Sequence, residues 1–170
     1  MELWDLYDAT RKPLRQTHPR SGVIPAGTYH IVVEIWTIDG DGNVLLTLRD
    51  PNKETYPNKW ENTGGSALSG ETSRQAAVRE LREETGIIAE EDELVFLGTY
   101  RTSSAFADIY LLRRSIPVAQ LKLQPGETVD AKWVTMAELD ELIQDQSLAL
   151  PVGKRLEAIR EAFEKQLGRG

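Results

Sequence analysis

Apolar residues fall in short runs separated by clusters of glycine, proline and turn-forming polar residues, and the period of each run sets the element it predicts. Leu3, Trp4, Leu6 and Tyr7 read as a short first strand, whereas residues 8–27 hold Pro13, Pro19, Gly22, Pro25 and Gly27 and read as loop. Residues 29–38 are dense in β-branched and aromatic side chains and read as a strand. Asp39-Gly40-Asp41-Gly42-Asn43 is a turn signal, and residues 44–49 are the hairpin partner. Residues 50–59 carry two prolines and two asparagines and read as loop. The period then changes. Residues 72–85 read as a helix, with Thr72 and Gln75 as a capping box and Gly86 as the C-terminal stop. Residues 94–101 and 106–114 return to strand, and residues 131–134 add a short one. Thr135 and Glu138 form a second capping box, opening a helix to about Gln144 with Leu139, Leu142 and Ile143 inward. Pro151 opens a last helix, about 152–168, whose Leu156, Ile159, Phe163 and Leu167 share one face. Strands, helix, strands, helices without regular βαβ alternation predict an α/β fold: a mixed sheet flanked by helices.

Composition narrows the chemistry. A chain of 170 residues with 40% hydrophobic and 28% charged residues suits one globular domain over 1–170. A net charge of -7 disfavours nucleic acid and anionic membranes as partners, since both need a positive field. It does not disfavour a polyanionic small molecule, because a bound divalent cation inverts the local potential. With no cysteine there are no disulfides, thiolate nucleophiles or Cys-based metal sites, and His18 and His30 are the only histidines. Carboxylate oxygens remain as ligands, and these favour Mg²⁺, Mn²⁺ or Ca²⁺. The N-terminus lacks the basic and apolar regions of a signal peptide, and no apolar run is long enough for a membrane span. The expectation is a cytoplasmic protein, monomer or homodimer, with its amphipathic last helix packed on its own domain or on a partner subunit.

Residues 65–87 concentrate the chemistry. At about 100° per residue, Ala77, Val78, Leu81 and Thr85 fall on one side of the helix and Glu80, Glu83 and Glu84 on another. Three carboxylates spaced i, i+3, i+4 repel one another. Arg79 and Arg82 sit further round the helix and relieve this only in part. Taken alone, a Glu-rich face is most often plainly solvated. Here Gly64 and Gly65 precede the helix, where a backbone can approach closely, and Glu71 stands at its entrance. Metal-binding carboxylates beside a phosphate-tolerant loop point to phosphoryl or diphosphate chemistry.

These residues, GSALSGETSRQAAVRELREETGI, resemble the Nudix box, with its fixed positions met by Gly65, Glu71, Arg79, Glu80, Leu81, Glu83, Glu84, Gly86 and Ile87. The segments ELWDLYDATRKPL, GTYHIVVEIW, NKWENTGG and AKWVTMAEL are similar to the Nudix branch that includes isopentenyl-diphosphate isomerase and its hydrolase relatives. The resemblance implies an α/β/α sandwich and a Mg²⁺- or Mn²⁺-dependent hydrolase acting on a small diphosphate, nucleoside-linked in the simplest case. It implies Glu80, Glu83 and Glu84 as metal ligands, with Glu83 and Glu84 catalytic, and Glu71 and Gly65 beside the metal. Arg79 would orient a glutamate by ion pairing. A further carboxylate outside the box would come from Glu127 or Asp130, Glu127 being the candidate base. Arg49 and Lys53, following a strand that leads to the site, are candidate phosphate contacts, and Trp60 or Tyr56 candidate stacking residues. The branch's isomerases use a cysteine and several histidines. Without cysteine, an isomerase is the less favoured alternative, beside a non-catalytic nucleotide-binding module, and His30 reads more simply as a strand residue.

Overall fold

A computed structural model describes residues 1–168. The chain runs β1 (Leu3–Tyr7), β2 (Pro13–Pro19), β3 (His30–Ile38), β4 (Val44–Arg49), β5 (Trp60–Glu61), β6 (Thr63–Ser66), α1 (Ser73–Thr85), β7 (Val95–Arg101), β8 (Ala105–Arg113), β9 (Thr128–Val134), α2 (Met136–Gln144) and α3 (Leu150–Leu167). Two short 3₁₀ turns lie at Glu91–Glu93 and Val118–Gln120. Both expected capping boxes are formed, Thr72 with Gln75 on α1 and Thr135 with Glu138 on α2. Such a cap is worth about 1 kcal/mol. Gly86 ends α1 at φ 75°, a conformation glycine takes without a Cβ penalty, and its N–H donates to the Arg82 carbonyl.

β3 is the centre of the main sheet. It pairs in parallel with β8 from His30↔Ala105 to Ile38↔Arg113, and antiparallel with β6 from Val32↔Ser66 to Ile35↔Thr63. The order is β5-β4-β3-β8-β7, with β9 also paired to β4. Period-two alternation divides the core into two layers. Ile31, Val33, Ile35, Phe106, Tyr110 and Leu112 meet Ala76, Ala77 and Leu81 of α1. Trp36, Ile38, Ile109 and Leu111 meet Leu139 of α2 and Leu156, Ile159 and Phe163 of α3. The result is an α/β/α sandwich around a mixed sheet. Trp36 and Phe163 pack edge to face at 5.5 Å, both fully buried; truncating either to alanine costs about 3–5 kcal/mol. Among the described residues no helix is long and apolar enough to cross a membrane.

Several expectations need correction. Residues 8–27 are not all loop, because β2 forms a hairpin with β1 through Leu3↔Pro19, Trp4↔His18 and Asp5↔Thr17. Its prolines sit at the two ends of β2, where no ladder hydrogen bond is lost, and Arg15 at φ 55° breaks the regular pattern from which a strand is read. The ninth strand begins three residues earlier than expected, at Thr128, and the last helix starts at Leu150 rather than at about 152. β5 and β6 are too short to show a period. Asn62, between them, is buried.

Two acids interrupt the alternation, one on each face of the sheet. Glu34 of β3 faces α3 and meets Arg155; Asp108 of β8 accepts from Nη1 and Nη2 of Arg11 and from Thr99 Oγ1 at 2.7 Å. Their signal in the sequence is a single acid inside a near-continuous apolar strand.

Candidate active site

The box residues are assembled by three elements. β6 lays Gly64 and Gly65 against β3, so closely that a Cβ on Gly64 would sit 2.7 Å from the Val33 carbonyl oxygen. A Cβ on Gly65 would fall inside the Glu80 carboxylate, so only glycine lets that carboxylate pack on the strand. α1 then presents Glu80, Glu83 and Glu84 toward a cavity of about 540 Å³. The loop before α1 supplies Glu71, whose Oε2 accepts the Leu68 N–H at 2.8 Å.

Arg79 is the hub. Its Nε and Nη2 grip Glu71 at 2.7 and 2.9 Å, Nη1 donates to Glu80 at 2.8 Å and Glu83 at 3.2 Å, and Nη2 reaches the Ser66 carbonyl at 3.0 Å. The helical wheel understates this role because the long side chain reaches back across the carboxylate face. Its neighbour Arg82 is exposed. Burial acts to raise the Glu71 carboxyl, but Arg79 and the Leu68 N–H outweigh it and hold it below the usual carboxylate range.

Glu84 is in the opposite position. It is buried at 8% exposure, its Oε2 has no hydrogen-bond partner, and Glu61 and Glu80 lie close. Burial first, then those like charges, push its carboxyl well above the ordinary value. Burial also raises Glu80, with Arg79 opposing. Such a group either binds a proton or needs a cation. A hard divalent ion fits this set: oxygen donors alone, an orphaned buried carboxylate oxygen, and a glycine that clears space beside Glu80. Among the described residues no three acidic or histidine side chains yet enclose an ion-sized point, Arg79 being bonded among them instead. Glu80, Glu83 and Glu84 would hold the metal.

The structure brings most of the expected residues to one place. Gly65, Arg49, Lys53, Arg79, Glu80, Glu83, Glu84 and Glu127 all line the cavity. Their partners refine the picture. Arg49 donates to both Glu61 oxygens, at 3.0 and 2.9 Å, and to the Thr55 carbonyl. Lys53 pairs with Glu127, across the cavity wall. Trp60 is not brought to the cavity: it packs with the α2–α3 layer, with Lys132 over its ring at 4.1 Å. Asp130 is exposed on β9, outside the lining. His30 is buried, stacked on Trp4 at 4.1 Å, and burial lowers its pKa to about 4.

Sequence reasoning missed the contribution of the N-terminal hairpin. Asp5 of β1 accepts from Ser69 Oγ and Gly70 N–H at 2.7 and 2.9 Å, stitching the hairpin to the box loop. This brings Glu2 and Arg20, paired at 2.8 Å, to the cavity mouth. Of the cavity's cations, Arg79 and Arg49 are half-buried and held chiefly by half-buried acids, whereas the Arg20–Glu2 pair is largely solvent-exposed. The signal was a hairpin partner hidden among prolines.

Comparison with known proteins shows which family shares this fold. The family model for the NUDIX domain matches residues 28–154. An uncharacterized Nudix hydrolase of Listeria innocua is 36% identical over 143 residues, covering 84% of this chain and 85% of that one. A protein of Paenarthrobacter aurescens named isopentenyl-diphosphate Delta-isomerase is 29% identical over 153 residues, covering 84% and 81%. The crystal structure of DR0079 from Deinococcus radiodurans superposes with a TM-score of 0.76 at 25% identity, covering 95% of this chain and 99% of that one. The NUDIX domain of Shewanella oneidensis NrtR, solved with ADP ribose, superposes with a TM-score of 0.62 at 19% identity, covering 85% and 92%.

Proposed function

The chain belongs to the Nudix family of hydrolases, and on that premise we propose that it cleaves the diphosphate linkage of a small, nucleoside-diphosphate-linked molecule in a Mg²⁺- or Mn²⁺-dependent reaction. The observation that carries this reading is the gathering of Glu80, Glu83 and Glu84 on one wall of a cavity that Arg49, Lys53 and Arg20 also line. The acids suit a cation and the bases suit phosphate oxygens, so the cavity is built for a metal–diphosphate complex rather than for either alone. The metal would neutralise the diphosphate and lower the pKa of a water that attacks phosphorus.

The chain's own groups divide the remaining work. Arg79 holds Glu71 and ties Glu80 and Glu83 to it, keeping these carboxylates on one face of the cavity, from which Glu80 and Glu83 would turn to a metal. Arg49 and Lys53 sit where they can orient phosphate oxygens. Glu127, which also lines the cavity, would accept a proton from the attacking water once Lys53 turns to the substrate. A nucleotide-derived substrate is favoured by the ADP ribose bound to the similarly folded NrtR domain.

An isomerase of isopentenyl diphosphate is disfavoured because the chain has no cysteine. A panel of diphosphates, with products identified by mass, tests the proposal. Cleavage into two phosphate-bearing halves supports it. Conversion of isopentenyl diphosphate to its allylic isomer, with the diphosphate intact, would replace it. Ligand-induced stabilisation without turnover would make the chain a binding module.

A further inference from the structure

The turn that carries Glu71 is held from outside by the N-terminal hairpin. Glu71 N–H donates to the Leu68 carbonyl at 3.0 Å, closing a tight turn over 68–71 in which Gly70 takes φ 85°. Every amide of this turn has a partner. Leu68 N–H goes to the Glu71 carboxylate at 2.8 Å. The next two go to β1: Ser69 N–H donates to the Leu3 carbonyl at 2.7 Å, and Gly70 N–H to Asp5 Oδ2 at 2.9 Å. Ser69 Oγ donates to Asp5 Oδ1 at 2.7 Å, so both carboxylate oxygens of Asp5 are engaged by the tip of the turn. β1 is itself a firm base. Leu6 is buried, Trp4 stacks on His30 of β3, Tyr7 and Tyr29 exchange backbone hydrogen bonds at 2.8 and 2.9 Å, and Arg11 grips Asp108. The hairpin lies outside residues 28–154, which the family model matches.

The opposite side of the turn faces the acids that would hold a metal. Glu71 occupies Nε and Nη2 of Arg79, and Nη1 of the same guanidinium already reaches Glu80 and Glu83. An arginine presents its N–H donors as one rigid fork. If the turn drifts and Glu71 lets go, the freed donors fall to the carboxylates that remain within reach, Glu80 and Glu83. An incoming cation then has to take those carboxylates from a whole guanidinium rather than from one of its nitrogens. We propose that Asp5 is a positioning residue for the metal site: it fixes the turn that keeps Glu71 on Arg79, and so leaves Glu80 and Glu83 available to a divalent ion. Its effect passes through the turn, not through its charge or any contact with the ion. The inference rests on the metal reading of the site.

The test measures Mn²⁺ binding to the full chain without substrate, by calorimetry, in wild type, Asp5→Ala and Asp5→Asn. Asparagine keeps the shape and can accept from Gly70 while its amide donates to Ser69 Oγ, so it holds the turn without the charge. Asp5→Ala is expected to bind Mn²⁺ about tenfold more weakly, the low end of what loss of a ligand's supporting partner costs, and Asp5→Asn to stay within about twofold of wild type. The contacts of Asp5 lie at the surface, so both variants keep the fold. Unchanged affinity in Asp5→Ala would overturn the proposal, even with a lowered Tm. So would an equal loss in both variants, which would make Asp5 a source of negative potential rather than of order. A wild type that binds no Mn²⁺ would overturn the metal reading as well; intact binding in wild type and in Asp5→Ala defeats the positioning role alone.

Discussion

Glu84→Gln is expected to make the metal-free protein more stable while removing its response to metal. In the wild type, Glu84 is buried beside Glu61 and Glu80 and one of its oxygens is unpaired. A buried polar atom without a partner costs about 1–3 kcal/mol, and an ionised one costs more. Glutamine keeps the shape and removes the charge. Glutamine leaves the polar atom unpaired but removes the repulsion by Glu61 and Glu80, so in EDTA near neutral pH the variant should gain on the order of 1 kcal/mol, and for a domain of this size each kcal/mol shifts Tm by roughly 2–4 °C. Mg²⁺ should reverse the order. At about 100 times its dissociation constant a ligand stabilises the native state by about 2.7 kcal/mol, and only the wild type keeps the full set of carboxylates. Thermal denaturation of both proteins, in EDTA and across a Mg²⁺ titration, should give curves that cross. A variant that is less stable in EDTA and gains as much from Mg²⁺ as the wild type would refute the reasoning.

Other expectations follow from single contacts. Gly65→Ala would drive a methyl group into the Glu80 carboxylate. Because that carboxylate can swing aside, Tm in EDTA should change by less than about 4 °C, while the Mg²⁺ concentration needed for half-maximal activity rises several-fold; unchanged metal dependence would count against the packing argument. Arg11→Ala leaves Asp108 buried with only Thr99 and its neighbours. Urea denaturation should show a loss of about 3 kcal/mol, the low end for a broken buried pair because Arg11 is itself 36% exposed. His30 titrates near 4 in the folded chain against 6.5 unfolded, so the unfolded state binds more protons between those values. Stability should fall by about 3 kcal/mol as pH drops from 6.5 to 4, and His30→Phe should flatten that slope; an equal slope in the variant would remove His30 as its source.

The long periodic segments carried most of the fold in the sequence itself. β3, β4, β8, α1 and α3 have enough residues to show a period of two or of 3.6, and the capping residues marked the starts of α1 and α2. β2 and β6 were illegible for a physical reason. β2 is bounded by prolines, and β6 holds two adjacent glycines whose value lies in close approach to β3 and Glu80, a tertiary fact that local propensity opposes. The carboxylates of the site were legible because a helix fixes their mutual positions. Their partners were not, because Arg20 arrives from a hairpin, and Glu34 and Glu61 are matched to arginines distant in the chain or across a loop. Trp60 illustrates the same limit: a strand places a side chain on one of two faces, and nothing local decides which.

Metal-dependent hydrolysis tests the central claim most directly. Purified protein would be offered ADP-ribose and other nucleoside-diphosphate-linked compounds, with Mg²⁺ or with EDTA, beside Glu83→Gln as control. The account predicts cleavage in Mg²⁺ into two phosphate-bearing products, none in EDTA, and a loss in the variant of at least the roughly 10–100-fold that follows removal of a metal's supporting group. Cleavage that persists in EDTA, or a Glu83→Gln enzyme as active as the wild type, would contradict it.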